Sequence, residues 1–258
     1  VPQKLALTGR PVSTRLVDLL WLPFNLIQAL FTLTWTAILI SVALVILLLT
    51  GSRRIPLAMA RRLWAPGLLW GAGARLEVTG LDNVDWSRPH IFAANHQSMI
   101  DICALFRALP VPLHFIVKQE LSRVPFLGSY IAAMGMIYVD RAARGKAYES
   151  IRRAATLIRE GRSVVSFPEG TRTADGSVKP FKHGVFVAAI EAGVPVVPIA
   201  LRGTGDVLPP RGFKVRPGRV LVKIGTPIPT TGLAQQDRGE FAAAVRARVI
   251  ELLHGAPV

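Results

Sequence analysis

The sequence predicts an α/β fold, a mixed and largely buried sheet flanked by helices, with an N-terminal membrane-associated helical segment. Three observations predict it. From Ala74 onward, short apolar runs rich in Val and Ile alternate with segments of helical periodicity. Those runs are continuous rather than alternating, as strands covered on both faces are. Ahead of them, no charged residue occurs from Leu19 to Ser52. The chain of 258 residues therefore divides into an N-terminal membrane-anchoring helical region, residues 1–73, and an α/β domain, residues 74–258.

The N-terminal region justifies its reading by length. Between Phe24 and Leu49 there is neither Gly nor Pro, and residues 37–49 are almost unbroken aliphatic sequence. A helix needs about 20 apolar residues to cross the hydrocarbon core, and this run supplies them. It exceeds the apolar core of a cleavable leader, and no small-x-small cleavage site closes it. Trp21 and Trp35 suit interfacial depth. Arg53, Arg54, Arg61 and Arg62 follow on the C-terminal side, so the positive-inside tendency puts the bulk of the protein on the cytoplasmic side. Residues 56–70 mix apolar and aromatic side chains with two arginines. That pattern fits a helix lying in the headgroup layer or an amphipathic helix of the domain surface. Pro66-Gly67 is expected to break or kink it.

The α/β elements follow in order. Strands are expected at 75–79, 90–94, 113–117, 136–139, 163–167, 194–201 and 220–224, and helices at 100–108, 146–160, 184–192 and 237–253. Gly161 and Gly193 close two of the helices. Pro195 and Pro198 cannot donate to a ladder, which argues for an edge position or irregular pairing of the strand at 194–201.

Lys and Arg number 31 against 16 acidic residues, a formal net charge of +15, so the partner is anionic: nucleic acid, anionic lipid or an acidic carrier. Cys103 is the only cysteine, which excludes an internal disulfide, and its apolar neighbours make it a small buried hydrophobe rather than a nucleophile. The five histidines are scattered without ligand spacing, so no metal site is expected.

Two stretches carry chemistry. In Asn95-His96-Gln97-Ser98-Met99-Ile100-Asp101 a His and an Asp lie five residues apart at a strand exit. Across one tight turn the carboxylate can accept from one ring nitrogen, fixing the tautomer and leaving the other nitrogen as a base. The same residues also suit a helix cap and a solvated first-turn carboxylate. In Phe167-Pro168-Glu169-Gly170-Thr171-Arg172, Gly170 permits a sharp turn or close approach of a ligand. Arg172 offers a planar fork for phosphate or carboxylate, and Glu169 an acceptor for a hydroxyl. A surface turn with a Glu–Arg ion pair is the plainer reading. Lys118 and Arg141 stand at two further strand ends, where α/β folds often bind ligands.

Taken together, these stretches resemble the lysophosphatidic acid (1-acyl-sn-glycerol-3-phosphate) acyltransferase family of bacterial-type glycerolipid acyltransferases. Four blocks match in order: residues 95–101 with the family's His-x-x-x-x-Asp; residues 135–141, preceded by 118–121 and 125–128; residues 167–172, Phe-Pro-Glu-Gly-Thr-Arg without departure; and the Val-Pro-x-x-Pro run at 194–199. The match covers roughly residues 75–205, outside the membrane segment. The resemblance implies acyl transfer from a thioester of coenzyme A or acyl carrier protein to the sn-2 hydroxyl of 1-acyl-glycerol-3-phosphate, giving phosphatidic acid. It implies no cofactor beyond that co-substrate, and membrane lipids rather than nucleic acid as partners. Carried over by position, His96 is the general base and Asp101 orients it. Arg172 and Lys118 hold phosphate, Glu169, Gly170 and Thr171 shape the acceptor site, and Arg141 is a further contact. Ser98 as an acyl-enzyme nucleophile is the rival chemistry. Other acceptors, lyso-ornithine lipid or glycerol-3-phosphate, share the four blocks. From other classes come a non-catalytic membrane scaffold and a basic nucleic-acid-binding protein, although no RNA-recognition, zinc-finger or basic-zipper pattern is present.

Overall fold

The structure is a computed structural model that describes residues 19–139 and 144–255, with side chains described from Glu149 onward in the second stretch. Seven strands, β1 (Ala74–Thr79), β2 (Ile91–Ala94), β3 (Leu113–Lys118), β4 (Ile137–Val139), β5 (Ser163–Ser166), β6 (Val196–Arg202) and β7 (Gly218–Ile224), form one sheet in the order β1-β7-β6-β2-β5-β3-β4. β6, β2, β5, β3 and β4 pair in parallel, whereas β7 runs antiparallel to β6 and parallel to β1. The C-terminal ends of β2, β3, β4 and β5 consequently share one edge of the sheet.

Alternation along the strands sends side chains into two cores. Phe92, Ala94, Val165, Val197 and Ile199 face one layer; Ile91, Ala93, Val164, Val196 and Ala200 face the other. The N-terminal helices α1 (Leu22–Thr50), α2 (Arg54–Met59) and α3 (Ala65–Gly71) lie in the first layer with α4 (Ile100–Ala108), α5 (Leu127–Ala133) and the short α8 (Thr204–Val207). The second layer holds α6 (Arg144–Arg159), α7 (Gly184–Ala192) and α9 (Arg238–His254). Leu57, Ala60, Leu68 and Leu69 pack into the same core as the sheet, so residues 54–72 are joined to the α/β unit by burial and not only by chain.

At two prolines the structure decides between the outcomes the sequence allows. Pro66-Gly67 does not break the helix at 56–70. A π-helical turn, Ala60–Trp64, joins α2 to α3, and the Ala65 amide donates to Ala60 O. Widening the turn relieves the clash a proline ring makes with the preceding carbonyl, and Pro66 sits in the first turn of α3, where an N–H is dispensable. Gly67 serves close packing instead: a Cβ there would run into the Trp35 indole on α1. The proline-bearing strand β6 is also not at an edge, since it lies between β2 and β7. Its pairing with the β7 side is irregular, the other outcome the prolines allow. Ile199 pairs with Ile224 but Val196 with Ile228, so three steps on one side oppose four on the other.

α1 spans 29 residues, about 43 Å at 1.5 Å per residue. It is the one helix among the described residues long and apolar enough to cross a membrane. Its inner side rests on α2 and α3, where Phe31 stacks on Trp35 and Thr36 Oγ1 accepts from Trp64 Nε1 at 3.0 Å. Leu26, Ile27, Leu30, Leu33, Leu48 and Leu49 remain exposed. A face this apolar is stable when covered by lipid. Cys103 is buried as expected, and burial pushes its thiol up to about 12.

His114, on β3, is buried and held down to about 4 by desolvation, with Arg162 and Arg53 adding to it. Its folded value lies below its unfolded value of 6.5, so the neutral ring contributes stability that is full above 6.5 and is lost as pH falls towards 4. The melting temperature should therefore drop across that window, and drop less in His114→Leu. Equal slopes in the two proteins would remove His114 as the cause.

Candidate active site

The chain leaves β2 at Ala94 and must turn at once into α4. Asn95, almost fully buried, prolongs the strand with its side chain: Nδ2 donates to Leu201 O at 2.9 Å and Oδ1 accepts from Leu201 N at 2.7 Å. His96 follows, and the turn that begins there brings Asp101 back beneath it. His96 Nδ1 donates to Asp101 Oδ2 at 2.7 Å. With the carboxylate as acceptor, the tautomer of the neutral ring that fits this contact has its hydrogen on Nδ1 and its lone pair on Nε2. The same oxygen accepts from the amides of Gln97 at 2.7 Å and Ser98 at 2.8 Å. Asp101 is 0% exposed, and its Oδ1 has no partner among the described residues. The two residues that the sequence paired are thus in contact.

The Phe-Pro-Glu-Gly-Thr-Arg loop leaves the adjacent strand, β5, and closes over this turn. Phe167 stacks on the His96 ring with centroids 4.0 Å apart and planes inclined by 16°. Glu169 is buried; its Oε1 accepts from the His96 amide at 2.8 Å and its Oε2 from the Lys179 amide at 2.8 Å. Thr173 N donates to His96 O at 2.9 Å. His96 is therefore clamped through both backbone groups by a loop more than 70 residues away in sequence. Gly170 adopts φ 74°, a left-handed conformation that a side chain would strain, and its amide donates to Phe167 O. Desolvation raises the Glu169 carboxyl, an effect countered by the two amides it receives. Each Glu169 oxygen accepts one backbone amide, so the carboxylate joins two loops and keeps lone pairs for a further donor.

Lys118 ends β3 opposite Val139 and is exposed. Arg172 is half-buried just beyond β5, and Thr171 is exposed beside it. Among the described residues neither cation is paired with an acidic group. Because β3, β5 and β2 are parallel neighbours, these cations and the dyad share the same sheet edge. Arg141 lies outside the described residues. Ser98 is not placed as a nucleophile: it is fully buried, its Oγ donates to Leu208 O at 2.6 Å and accepts from Ile100 N at 3.2 Å, so its proton is directed away from His96.

Sequence reasoning missed three contributors. Phe167 stacks on the imidazole, Thr173 holds the His96 backbone, and Asn95 anchors the strand end just before it. The available signal, for Asn95, was a polar residue directly after an apolar run. Phe167 is also the last ring of a chain that runs inward through Phe115 (6.3 Å), Phe106 (4.9 Å) and Trp64 (5.8 Å) to the hydrogen bond with Thr36 on α1. The platform beneath the imidazole is thereby packed against the N-terminal helices.

The His–Asp pair thus lies at the C-terminal end of parallel strands, on the same sheet edge as Lys118 and Arg172. Comparison with known proteins is specific. The family model described as Acyltransferase matches residues 75–202. The chain is 34% identical over 184 residues to the 1-acyl-sn-glycerol-3-phosphate acyltransferase of Saccharomyces cerevisiae, covering 70% of this chain and 60% of that protein. To the human 1-acyl-sn-glycerol-3-phosphate acyltransferase alpha it is 35% identical over 175 residues, 67% of this chain and 62% of the relative. The chain thus spans about three fifths of the length of these relatives. The crystal structure of the 1-acyl-sn-glycerophosphate acyltransferase PlsC from Thermotoga maritima superposes with a TM-score of 0.75 at 27% identity, covering 91% of this chain and 98% of that one. The chain belongs to this acyltransferase family.

Proposed function

We propose that the chain is a 1-acylglycerol-3-phosphate O-acyltransferase, moving a fatty acyl group from acyl-CoA or an acyl carrier protein to the sn-2 hydroxyl of 1-acyl-glycerol-3-phosphate to give phosphatidic acid. The observation that carries this reading is the 2.7 Å contact from His96 Nδ1 to Asp101 Oδ2, on a ring held flat against Phe167. His96 Nε2 takes the proton of the acceptor hydroxyl as its oxygen attacks the thioester carbonyl. The C–O bond forms and the C–S bond breaks. The imidazolium, stabilised by Asp101, returns the proton to the departing thiolate. No protein nucleophile is needed, in keeping with the commitment of Ser98 Oγ to Leu208 O.

Most backbone donors of the first block are already committed. The amides of His96, Gln97, Ser98, Ile100 and Asp101 are all already donated, to Glu169, Asp101, Ser98 Oγ and Ser98 O. The loop whose Phe167 stacks on the same ring continues into residues 171–172, which supply the oxyanion donors in this reading. Arg172 and Lys118 receive the phosphate, and Thr171 lines the acceptor site. The apolar α1 keeps the domain at the cytoplasmic face of the inner membrane, where the lysolipid acceptor resides.

Arg172→Ala should raise the acceptor KM by about tenfold or more, the loss of a charge-assisted contact, with much less effect on the donor KM. Steady-state kinetics with each substrate varied in turn would show it. Equal increases in both constants would remove Arg172 from the phosphate site.

A further inference from the structure

Exposed large apolar side chains are distributed unevenly over the molecule. Among the described residues none lies on α6, α7 or α9. Leu81, in the turn after β1, stands apart; all the others are on or beside α1–α3 or in loops of the same layer. The sheet thus separates a greasy layer from a polar one. Outside the N-terminal helices the most exposed of these side chains is Phe213, at 85%.

Phe213 sits in the connection from α8 to β7, residues 208–217. The base of that connection is fixed. Val207 and Val215 are buried in the first core, and Arg216 N donates to Val207 O at 2.9 Å. At its start Leu208 O receives the Ser98 hydroxyl, which ties it to the block that bears His96. At its end Val215 N donates to Asn25 Oδ1 at 2.6 Å, and the Arg216 guanidinium lies 4.7 Å over the Trp21 ring, which ties it to the start of α1. Pro209 and Pro210 stiffen the tip, and Arg211 and Lys214 flank Phe213, all three exposed. A pinned, proline-stiffened loop that holds a phenylalanine in water loses little further entropy when that ring is buried.

We propose that residues 208–217 form a second membrane contact, inserting Phe213 into an anionic leaflet with Arg211 at phosphate depth, and so set how deep His96 sits at the bilayer surface. An anionic bilayer is the occupant the surroundings favour. The tip is basic on a chain of net charge +15, and its base is continuous with the apolar helix through Asn25 and Trp21. A tryptophan carrying an arginine over its ring is a pairing suited to the interface.

The test uses the full chain in vesicles of phosphatidylcholine and phosphatidylglycerol. Phe213→Cys is labelled with an environment-sensitive fluorophore, Cys103 being buried. The label should shift to the blue and be quenched by lipids carrying a nitroxide on the upper acyl chain. The same label at Glu251→Cys, exposed on α9, should do neither. A label at 213 that stays water-like, or responds only when acidic carrier protein is added, would overturn the proposal. A second arm rests on the acyltransferase reading. Phe213→Ser should raise the acceptor concentration for half-maximal turnover roughly tenfold with vesicle-borne lysolipid, a loss of ~1.4 kcal/mol of interfacial binding. A soluble short-chain acceptor should be unaffected; equal loss with both would overturn the membrane role. The fluorescence arm needs no turnover, so failure of the catalytic reading and failure of this one are told apart.

Discussion

His96→Ala should lower acyl transfer by about 10²–10⁴-fold, the usual contribution of a positioned general base, while the protein stays folded. The second half of that expectation comes from the packing. The His96 side chain is 15% exposed and makes one hydrogen bond, to Asp101. When it is removed, Asp101 Oδ2 still accepts from the Gln97 and Ser98 amides, so the buried carboxylate keeps two of its three donors. The backbone of residue 96 remains clamped by Glu169 and Thr173. Thermal unfolding of the variant should lie close to wild type although thioester turnover is nearly lost. Retained turnover would take the base assignment away from His96. A large loss of stability in parallel would mean that the ring is a packing element first.

Glu169→Ala should do the reverse: a large loss of stability together with a fall in kcat. Its carboxylate satisfies two amides, those of His96 and Lys179, in a site with almost no access to water. Each buried donor left unpaired costs about 1–3 kcal/mol, so roughly 2–6 kcal/mol is at stake. Relief of the desolvation that raises this carboxyl returns part of it. The fall in kcat follows because the His96 backbone loses the support that fixes the ring against Phe167. Denaturant unfolding and kinetics on Glu169→Gln refine the point. Gln can accept one of the two amides but not both, so its stability should fall between wild type and alanine. An increase in acceptor KM with stability unchanged would assign Glu169 to substrate contact instead.

What could be read from the sequence follows from the range of the interactions involved. The dyad was legible because His96 and Asp101 are five residues apart, and a single turn suffices to join them. The helix at 100–108 carries the predicted bounds because its apolar run and its acidic first turn are local. The work of Glu169 was not legible. A carboxylate that receives a backbone amide 73 residues away is recognisable only after β2 and β5 are neighbours. The same holds for Asn95, whose side chain extends a strand by bonding Leu201, 106 residues on. At Pro198 the missing N–H announces itself in sequence, but whether an edge or an irregular pairing results depends on the strand opposite. At Pro66 the helix runs on through a π turn that leaves no local signature.

The central claim is acyl transfer to a lysophosphatidic acid hydroxyl by an imidazole base, and one assay reaches it most directly. Purified full-length chain is given labelled acyl-CoA, then labelled acyl carrier protein, with lysophosphatidic acid, lyso-ornithine lipid and glycerol-3-phosphate offered separately, alongside His96→Ala. The account predicts labelled phosphatidic acid from at least one donor, preference for lysophosphatidic acid over the other two acceptors, and near-complete loss in the variant. Equal labelling of all acceptors, or turnover that survives the loss of His96, would contradict it.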